Sequence, residues 1–402
     1  MSETLNHAVA DLFSAKVQRV GPPRLGDPKG SANYISFLAG FPDPASLPKG
    51  DVIEATRVAL ERDGEWALQY GAPLGYQRLR DELLIKLRRD QGIVAGDRNI
   101  LITNGASQGL DLLTQALCDP GDVVLSEEPT WSGAVQNFRA VGAEVVTIPL
   151  DAEGTDVAAL ARELADIVAS GRQPKFFYTI PNFQNPTGVT TSLARRQRIV
   201  ELAHQYGFVV IEDDAYSDLR YRGEGVPTIY SLDDHGLVVY LSTFSKIMAA
   251  GVRLGWVVAA PHLIDTLASL KAEGGTSPFA GAVAAEFCAS GTLVEHVAEL
   301  KALYASRHNA MVSALRASMP EGVSWTDPDG GFFVWMELPQ AVSVANLAVK
   351  ARENGVEFLP GTACHFHGGG DHTLRLSYSF ADEAQIERGI GLLADIIRTE
   401  MS

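Results

Sequence analysis

The sequence is short of cysteine, of positive charge and of long apolar runs. Its three cysteines, Cys118, Cys288 and Cys364, stand far apart and form no C-x-x-C pair. That argues against a disulfide framework or a structural zinc site, and fits a reducing, cytoplasmic setting; no metal is expected. Lysine and arginine together number 33 against 49 acidic side chains, a formal net charge of −16. Nucleic acid and anionic membranes call for a basic face, so neither is expected as a partner. No run of about 18 apolar residues occurs, so no membrane span is expected. Glu3 and Asp11 interrupt the first apolar pattern, unlike a secretory signal.

What is present is a balance ordinary for a soluble globular protein, 46 % hydrophobic and 20 % charged over 402 residues, room for a large domain and a smaller partner. Leu5, Val9, Leu12, Phe13 and Val17 share one helical face within residues 2–20, a face suited to packing on a larger body. Residues 21–28 read as a loop, 35–39 as a short strand and 40–44 as a turn. Helices are expected at 52–62 and 75–92. Seven apolar runs follow, at 100–103, 123–126, 144–148, 176–180, 208–212, 237–241 and 252–259. Helical periodicity separates most of them, at 107–117, 132–141, 157–169 and 193–206.

This alternation predicts an α/β fold with a mainly parallel seven-stranded sheet between helices. The last two runs lack an intervening helix, which leaves room for one antiparallel strand. Gly207 stands where a helix C-terminal cap belongs. Beyond residue 260, helices at 263–272, 281–289, 293–318, 344–354 and 383–399 mix with β segments at 323–338, 356–359 and 374–380. These predict a smaller α+β layer into which the N-terminal segment folds back. The expected division is residues 45–290 for the larger domain, and 1–44 with 291–402 for the smaller.

Four stretches carry candidate chemistry. Lys246 lies just past a strand, among Ser242, Thr243 and Ser245, with Arg253 following between glycines. A lysine that condenses with an aldehyde must be able to lose its proton, and a phosphate calls for hydroxyls, amides and a guanidinium. Alone, the stretch also describes a surface lysine at a strand end. Residues 103–110, Thr-Asn-Gly-Ala-Ser-Gln-Gly-Leu, join a strand to a helix whose first amides and Ser107 hydroxyl suit a phosphate. They also spell the G-x-S-x-G elbow of α/β-hydrolases. A hydrolase needs a downstream acid and histidine and an upstream oxyanion loop, yet the H-G-G-G run is at 367–370. Asp213, in Ile-Glu-Asp-Asp-Ala-Tyr, ends a strand where ligands of open α/β sheets sit. It can bind a metal or pair with a protonated ring nitrogen, with Tyr216 facing the same ligand, or belong to a solvated acidic strand end. Residues 181–188 either present Asn185 to a ligand or form a plain turn.

Taken in order, these motifs resemble the fold-type I pyridoxal-phosphate aminotransferases of class I/II, and most nearly the 2-aminoadipate/kynurenine aminotransferase branch, over about residues 35–399. The resemblance implies pyridoxal 5′-phosphate as cofactor. Lys246 would be the Schiff-base lysine, which moves a proton between Cα and the cofactor C4′. Asp213 would keep the pyridine nitrogen protonated, while Tyr216 and Asn185 bond the ring oxygen. The amides of Ala106 and Ser107, the side chains of Ser107 and Gln108, and Thr243, Ser245 and Arg253 would hold the phosphate. Trp131 takes the place of the stacking aromatic, usually tyrosine or phenylalanine, and Thr243 stands where many relatives have serine.

Tyr70 matches the tyrosine that reaches the phosphate of a neighbouring subunit, which implies a homodimer with shared sites. Arg375 would grip the substrate α-carboxylate, helped by the Gly40 amide. Read alone, Arg375 also fits the outward residue of an edge strand. Arg19 and Arg24 are candidates for a distal substrate group. The implied activity is amino transfer from an L-amino acid to a 2-oxo acid by a ping-pong cycle. A β-lyase, decarboxylase or oxidase uses the same lysine and aspartate. A hydrolase on Ser107 and a regulator fused to a DNA-binding domain are the more distant alternatives. Against the regulator stand the charge and the roughly 34 residues before the first strand, too few for a winged helix.

Overall fold

The protein's strands are continuous apolar runs, so they are buried on both faces and need helices on either side. The structure, a computed structural model, describes residues 11–20, 34–271 and 275–401. In chain order the first half runs α1 (Ala15–Arg19), β1 (Ile35–Phe37), α2 (Lys49–Ala67), α3 (Gln77–Asp90), β2 (Ile100–Thr103), α4 (Gly105–Leu117), β3 (Val123–Glu128), α5 (Ser132–Val141), β4 (Glu144–Asp151), β5 (Gly154–Thr155), α6 (Val157–Ala169) and β6 (Pro174–Thr179). It continues through α7 (Leu193–Tyr206), β7 (Val209–Asp213), α8 (Ile229–Leu232), β8 (Val238–Thr243), β9 (Gly255–Val258), α9 (Pro261–Leu270), α10 (Pro278–Ala289) and α11 (Thr292–Ser318). The last elements are β10 (Ser324–Trp325), β11 (Phe333–Glu337), α12 (Val344–Glu353), β12 (Val356–Pro360), β13 (Thr373–Ser377) and α13 (Glu383–Met401).

The larger sheet has the order β2-β9-β8-β7-β6-β3-β4-β5. Strands β3, β4, β6, β7 and β8 pair in parallel, whereas β9 runs antiparallel to both β2 and β8. All seven expected strands are present. An eighth, β5, pairs antiparallel with the end of β4; two residues are too few to leave a periodic signal. Gly207 ends α7 in the left-handed region at φ 69°, and Asp156 caps α6 by accepting from the Ala158 and Ala159 amides, both at 2.9 Å.

The second sheet has the order β1-β12-β13-β11-β10. Strand β1 joins it in parallel, with Ile35 opposite Val356, so the chain around residue 35 does return to the C-terminal layer. Helix α1 does something else. Arg19 donates to the Ala140 carbonyl, 3.3 Å from Nε and 3.2 Å from Nη2, near the C-terminus of α5. Leu12, Phe13 and Val17 stay exposed, so their expected burial is not found. Residues 2–10 and 21–28, and Arg24 with them, lie outside the described residues. Among the described residues no helix is long and apolar enough to cross a membrane.

One buried ion pair fixes the turn after β1. Arg307 on α11 donates to Asp43 Oδ2 at 2.7 Å and to the Ser379 carbonyl at 2.7 Å, and the Ser379 hydroxyl donates to the Phe41 carbonyl at 2.7 Å. Replacing Arg307 by methionine leaves Asp43, 8 % exposed, as a buried charge without its partner. A loss of about 3 kcal/mol is expected in urea unfolding. A change below about 0.5 kcal/mol, the size typical of an exposed pair, refutes that role.

Candidate active site

Strands β2, β6, β7 and β8 all end at one edge of the larger sheet, and β9, running the other way, begins there. Thr103 and Thr243 both stand in register with Gly255. Into the cleft at this edge point Gly105, Ala106, Ser107, Trp131, Asn185, Asp213, Tyr216, Thr243, Ser245, Lys246 and Arg253. Residues scattered over 150 positions of sequence thus meet because parallel strands deliver their C-termini to one place.

One end of the cleft is positive. Helix α4 opens at Gly105 (φ 73°) with its first amides free of intrahelical partners. The Arg253 guanidinium stands over that glycine, so a Cβ there would come within 2.9 Å of Nη2; Arg253 itself is held at φ 52°. The approach of β9 to α4 depends on Gly255. A Cβ on it would lie 2.6, 2.7 and 2.8 Å from Gly105 C, Ala106 N and the Ser242 carbonyl oxygen. The Thr243 hydroxyl accepts from the Ser245 amide at 3.1 Å and lies 2.9 Å from Ser245 Oγ.

Ser242 and Gln108 are not among the residues lining the cleft. Ser242 Oγ donates to the Asp214 carbonyl at 2.7 Å. Gln108 Oε1 accepts from the Asn104 amide at 2.7 Å, bracing the turn before α4 outside the cleft lining.

The opposite end is a buried carboxylate. Glu212, Asp213 and Asp214 are 0, 5 and 1 % exposed, so they are no solvated strand end. Glu212 accepts the Ile229 and Tyr230 amides at 2.9 and 2.8 Å. Asp214 accepts from Asn182 Nδ2 and the Tyr240 hydroxyl, both at 3.0 Å. Asp213 takes only the Tyr178 hydroxyl, at 2.7 Å on Oδ2, and its Oδ1 is buried without a partner. Burial drives its pKa up to about 7 against the Tyr178 hydrogen bond, which lowers it, with the Asp214 charge adding to the rise.

Between these ends, Lys246 Nζ donates to the Gly40 carbonyl at 2.9 Å and lies 5.8 Å from the centre of the Phe332 ring. Burial first, then the charges of Arg375 and Arg253, lower its pKa to about 8. Tyr216 packs edge-on against Phe332 and Phe333. Arg375 sits in β13, the central strand of its sheet and not an edge. It donates to Asn185 Oδ1 at 2.7 Å and to the Leu38 carbonyl at 2.6 Å, lies 4.1 Å over the Phe333 ring, and leaves Nε without a partner. No carboxylate pairs with it among the described residues. A Cβ on Gly40 would strike that same Phe333 ring at 2.5 Å. Tyr70 is 88 % exposed and outside the cleft of its own chain.

Tyr178, Gly255 and Phe333 were missed by sequence reasoning. Tyr178 is hidden inside an apolar run, while the glycines flanking Arg253 hinted at Gly255. Nothing pairs Ser107 with a histidine among the described residues, and His367 Nε2 lies 2.9 Å from the Val145 carbonyl instead. That removes the hydrolase reading.

An anion cradle, an amine of lowered pKa and an unpartnered buried carboxylate are together met by a phosphate ester that carries an aldehyde and a basic ring nitrogen. Pyridoxal 5′-phosphate is such a molecule, and the residues present fit it. The site is therefore that of a pyridoxal-phosphate enzyme. Residues 39–393 match the family Aminotransferase class I and II, and the chain belongs to that family. It is a pyridoxal-phosphate-dependent aminotransferase of fold type I.

The chain is 39 % identical over 373 residues to aromatic-amino-acid aminotransferase 1 of Thermococcus litoralis, covering 92 % of this chain and 89 % of that one. It is 36 % identical over 369 residues to the 2-aminoadipate transaminase of Thermus thermophilus, covering 90 % of each. The structure matches a kynurenine aminotransferase of Pyrococcus horikoshii, solved in complex with PMP, with a TM-score of 0.93 at 37 % identity over 98 % of each chain.

Asp213 yields a pH signature. Its folded pKa lies above the ordinary carboxylate range, so the cofactor-free native state keeps a proton that the unfolded chain releases. That stabilisation is complete below about pH 4 and is lost as pH rises through about 7. Asp213→Asn removes the loss. Relative to wild type, the cofactor-free variant should gain stability from about pH 4 to about 7, by up to about 4 kcal/mol. Urea unfolding across that range measures it, and a flat difference refutes it.

Proposed function

We propose that this aminotransferase takes the amino group from an aromatic L-amino acid and passes it to a 2-oxo acid in two successive half-reactions, with Arg375 gripping the α-carboxylate of each. The observation that carries this reading is the Arg375 guanidinium, 6 % exposed and bonded to two oxygens that are both neutral. A buried guanidinium without a counter-charge suits a planar carboxylate, which it can bind through two hydrogen bonds.

Bound in the cleft, pyridoxal phosphate supplies the aldehyde that takes up the amino group and the cationic ring that accepts the electron pair left at Cα. Asp213 Oδ1, buried without a partner, would keep the proton on the ring nitrogen. Arg253, Ser107, Thr243, Ser245 and the amides of Ala106 and Ser107 would hold the phosphate, and Gln108 braces their turn. Tyr216 and the Asn185 amide would donate to the ring oxygen, and Trp131, also in the lining, would pack beside the ring. Lys246 Nζ would carry the cofactor and would take the substrate Cα proton. A pKa of about 8 makes it an effective base near neutral pH. The Gly40 amide adds to the carboxylate grip.

An aromatic donor is favoured by the name of the Thermococcus litoralis relative and by Trp131 in the lining. Lys246 and Arg253 line the cleft, Arg375 is bonded to Asn185 of that lining, and Arg19 is bonded to Ala140, while Arg24 lies outside the described residues. A 2-aminoadipate donor, named for the Thermus thermophilus relative, would call for a second cation. Trp66, Leu68 and Tyr70 are 72, 72 and 88 % exposed, close in sequence. Such a patch favours a homodimer in which Tyr70 reaches the cofactor phosphate of a second copy. The reading is completed by a cytoplasmic location and by a larger domain at residues 45–290 with a smaller one from 1–44 and 291–402. The eight-stranded sheet falls within the first, and the five-stranded sheet within the second.

Single-turnover spectroscopy across a donor panel should show the bound cofactor converted fully to its amine form, faster with aromatic amino acids than with 2-aminoadipate. Release of ammonia, CO₂ or peroxide with the original spectrum restored overturns amino transfer; the reverse order of rates overturns the donor. Borohydride should fix the cofactor covalently in wild type and not in Lys246→Ala; labelling through another lysine refutes the role of Lys246. Arg375→Ala should lower kcat/KM about 100- to 1000-fold, the loss of roughly 3–4 kcal/mol of charge-assisted binding. An effect below tenfold removes it from the carboxylate site.

A further inference from the structure

A second cluster of ligating groups lies at the other edge of the larger sheet, where β8 begins. His204, in the last turn of α7, places Nε2 2.7 Å from Asp233 Oδ1. His235 places Nδ1 2.5 Å from Asp234 Oδ1. The two imidazoles pack 3.9 Å apart, centre to centre. One nitrogen or carboxylate oxygen from each of the four residues lies within 4.8 Å of every other.

The Asp233 carboxylate is fixed independently of any ligand. Its side chain is 2 % exposed. Oδ2 accepts the Leu237 and Val238 amides at 2.7 and 2.9 Å, and Oδ1 accepts the His235 amide at 3.0 Å. A bond between His204 and Asp233 would by itself explain how the helix end is tied to the turn. It leaves unexplained why His235 and Asp234, 62 and 86 % exposed, turn to the same point.

We propose that His204, Asp233, Asp234 and His235 form a binding site for a divalent ion of the zinc type. Two imidazole nitrogens and two carboxylate oxygens make the four-coordinate, mixed donor set that such an ion takes. Calcium and magnesium prefer all-oxygen shells and fit it poorly. Each histidine binds through a ring lone pair, so any proton there leaves as the ion enters. The amides on Asp233 serve as the outer shell that orients a ligand. The ion clamps the C-terminus of α7 to the turn entering β8. The cleft lies at the far end of β8, past Thr243, so binding adds stability and leaves amino transfer alone.

Calorimetric titration of chelator-treated holoenzyme with ZnCl₂ tests this. One zinc per chain is expected, with an unfolding midpoint raised by several degrees by ZnCl₂ and unmoved by MgCl₂. His235→Ala, at an exposed position, and His204→Ala should each abolish that binding and the shift while keeping wild-type turnover. Asp234→Asn should weaken binding at least tenfold. No saturable zinc binding, or binding of equal stoichiometry and affinity in both histidine variants, overturns the proposal.

Discussion

A carboxylate buried with one oxygen unpartnered is the constraint on which the cleft depends. Asp213 receives one hydrogen bond where Glu212 and Asp214 each receive at least two, and the deficit faces the cavity. In a protein standing alone such a group is a fault, since an ionised carboxylate out of water is costly without a counter-charge. Arg375 is the matching fault of opposite sign. On the proposed reading the two are completed by different partners, Asp213 by a cationic ring and Arg375 by a substrate anion. Lys246 lies between them, and positive neighbours add to the effect of burial in making its proton easy to lose.

Much of this was legible in the sequence, and the boundary of legibility has a physical cause. Helices α5, α6 and α7 fall at the expected residues, because each pairs a clear apolar period with a turn or cap signal. The missing helix between β8 and β9 announced the antiparallel strand. What could not be read was direction. Ser242 and Thr243 are neighbours of one type, yet successive strand residues point to opposite faces, and only Thr243 reaches the cleft. The same alternation sorts Glu212 from Asp213 at the end of β7, which a chain of letters shows only as acids closing a strand.

Other features were hidden because they are relations between distant segments. Tyr178 becomes the partner of Asp213 only when β6 and β7 lie side by side. Gly255 matters through the backbone of Gly105 and Ala106, about 150 residues earlier. Arg375 passes for an edge residue until β11 and β12 are placed on either side of it. Arg19 carries the opposite lesson: an arginine near a site in sequence terms is taken up by a helix-end carbonyl.

Lys246 and Arg253 share one hairpin, between strands whose register brings Thr243 opposite Gly255. The separation between the Lys246 amine and the Arg253 guanidinium is thus set within a single loop, like the jaws of a fixed-gap gauge. Arg375 belongs to the other sheet. A displacement of one sheet against the other would move Arg375, the proposed carboxylate grip, and leave that gauge unaltered. With the proposed roles, the hold on the substrate carboxylate can therefore be adjusted without disturbing the hold on the cofactor.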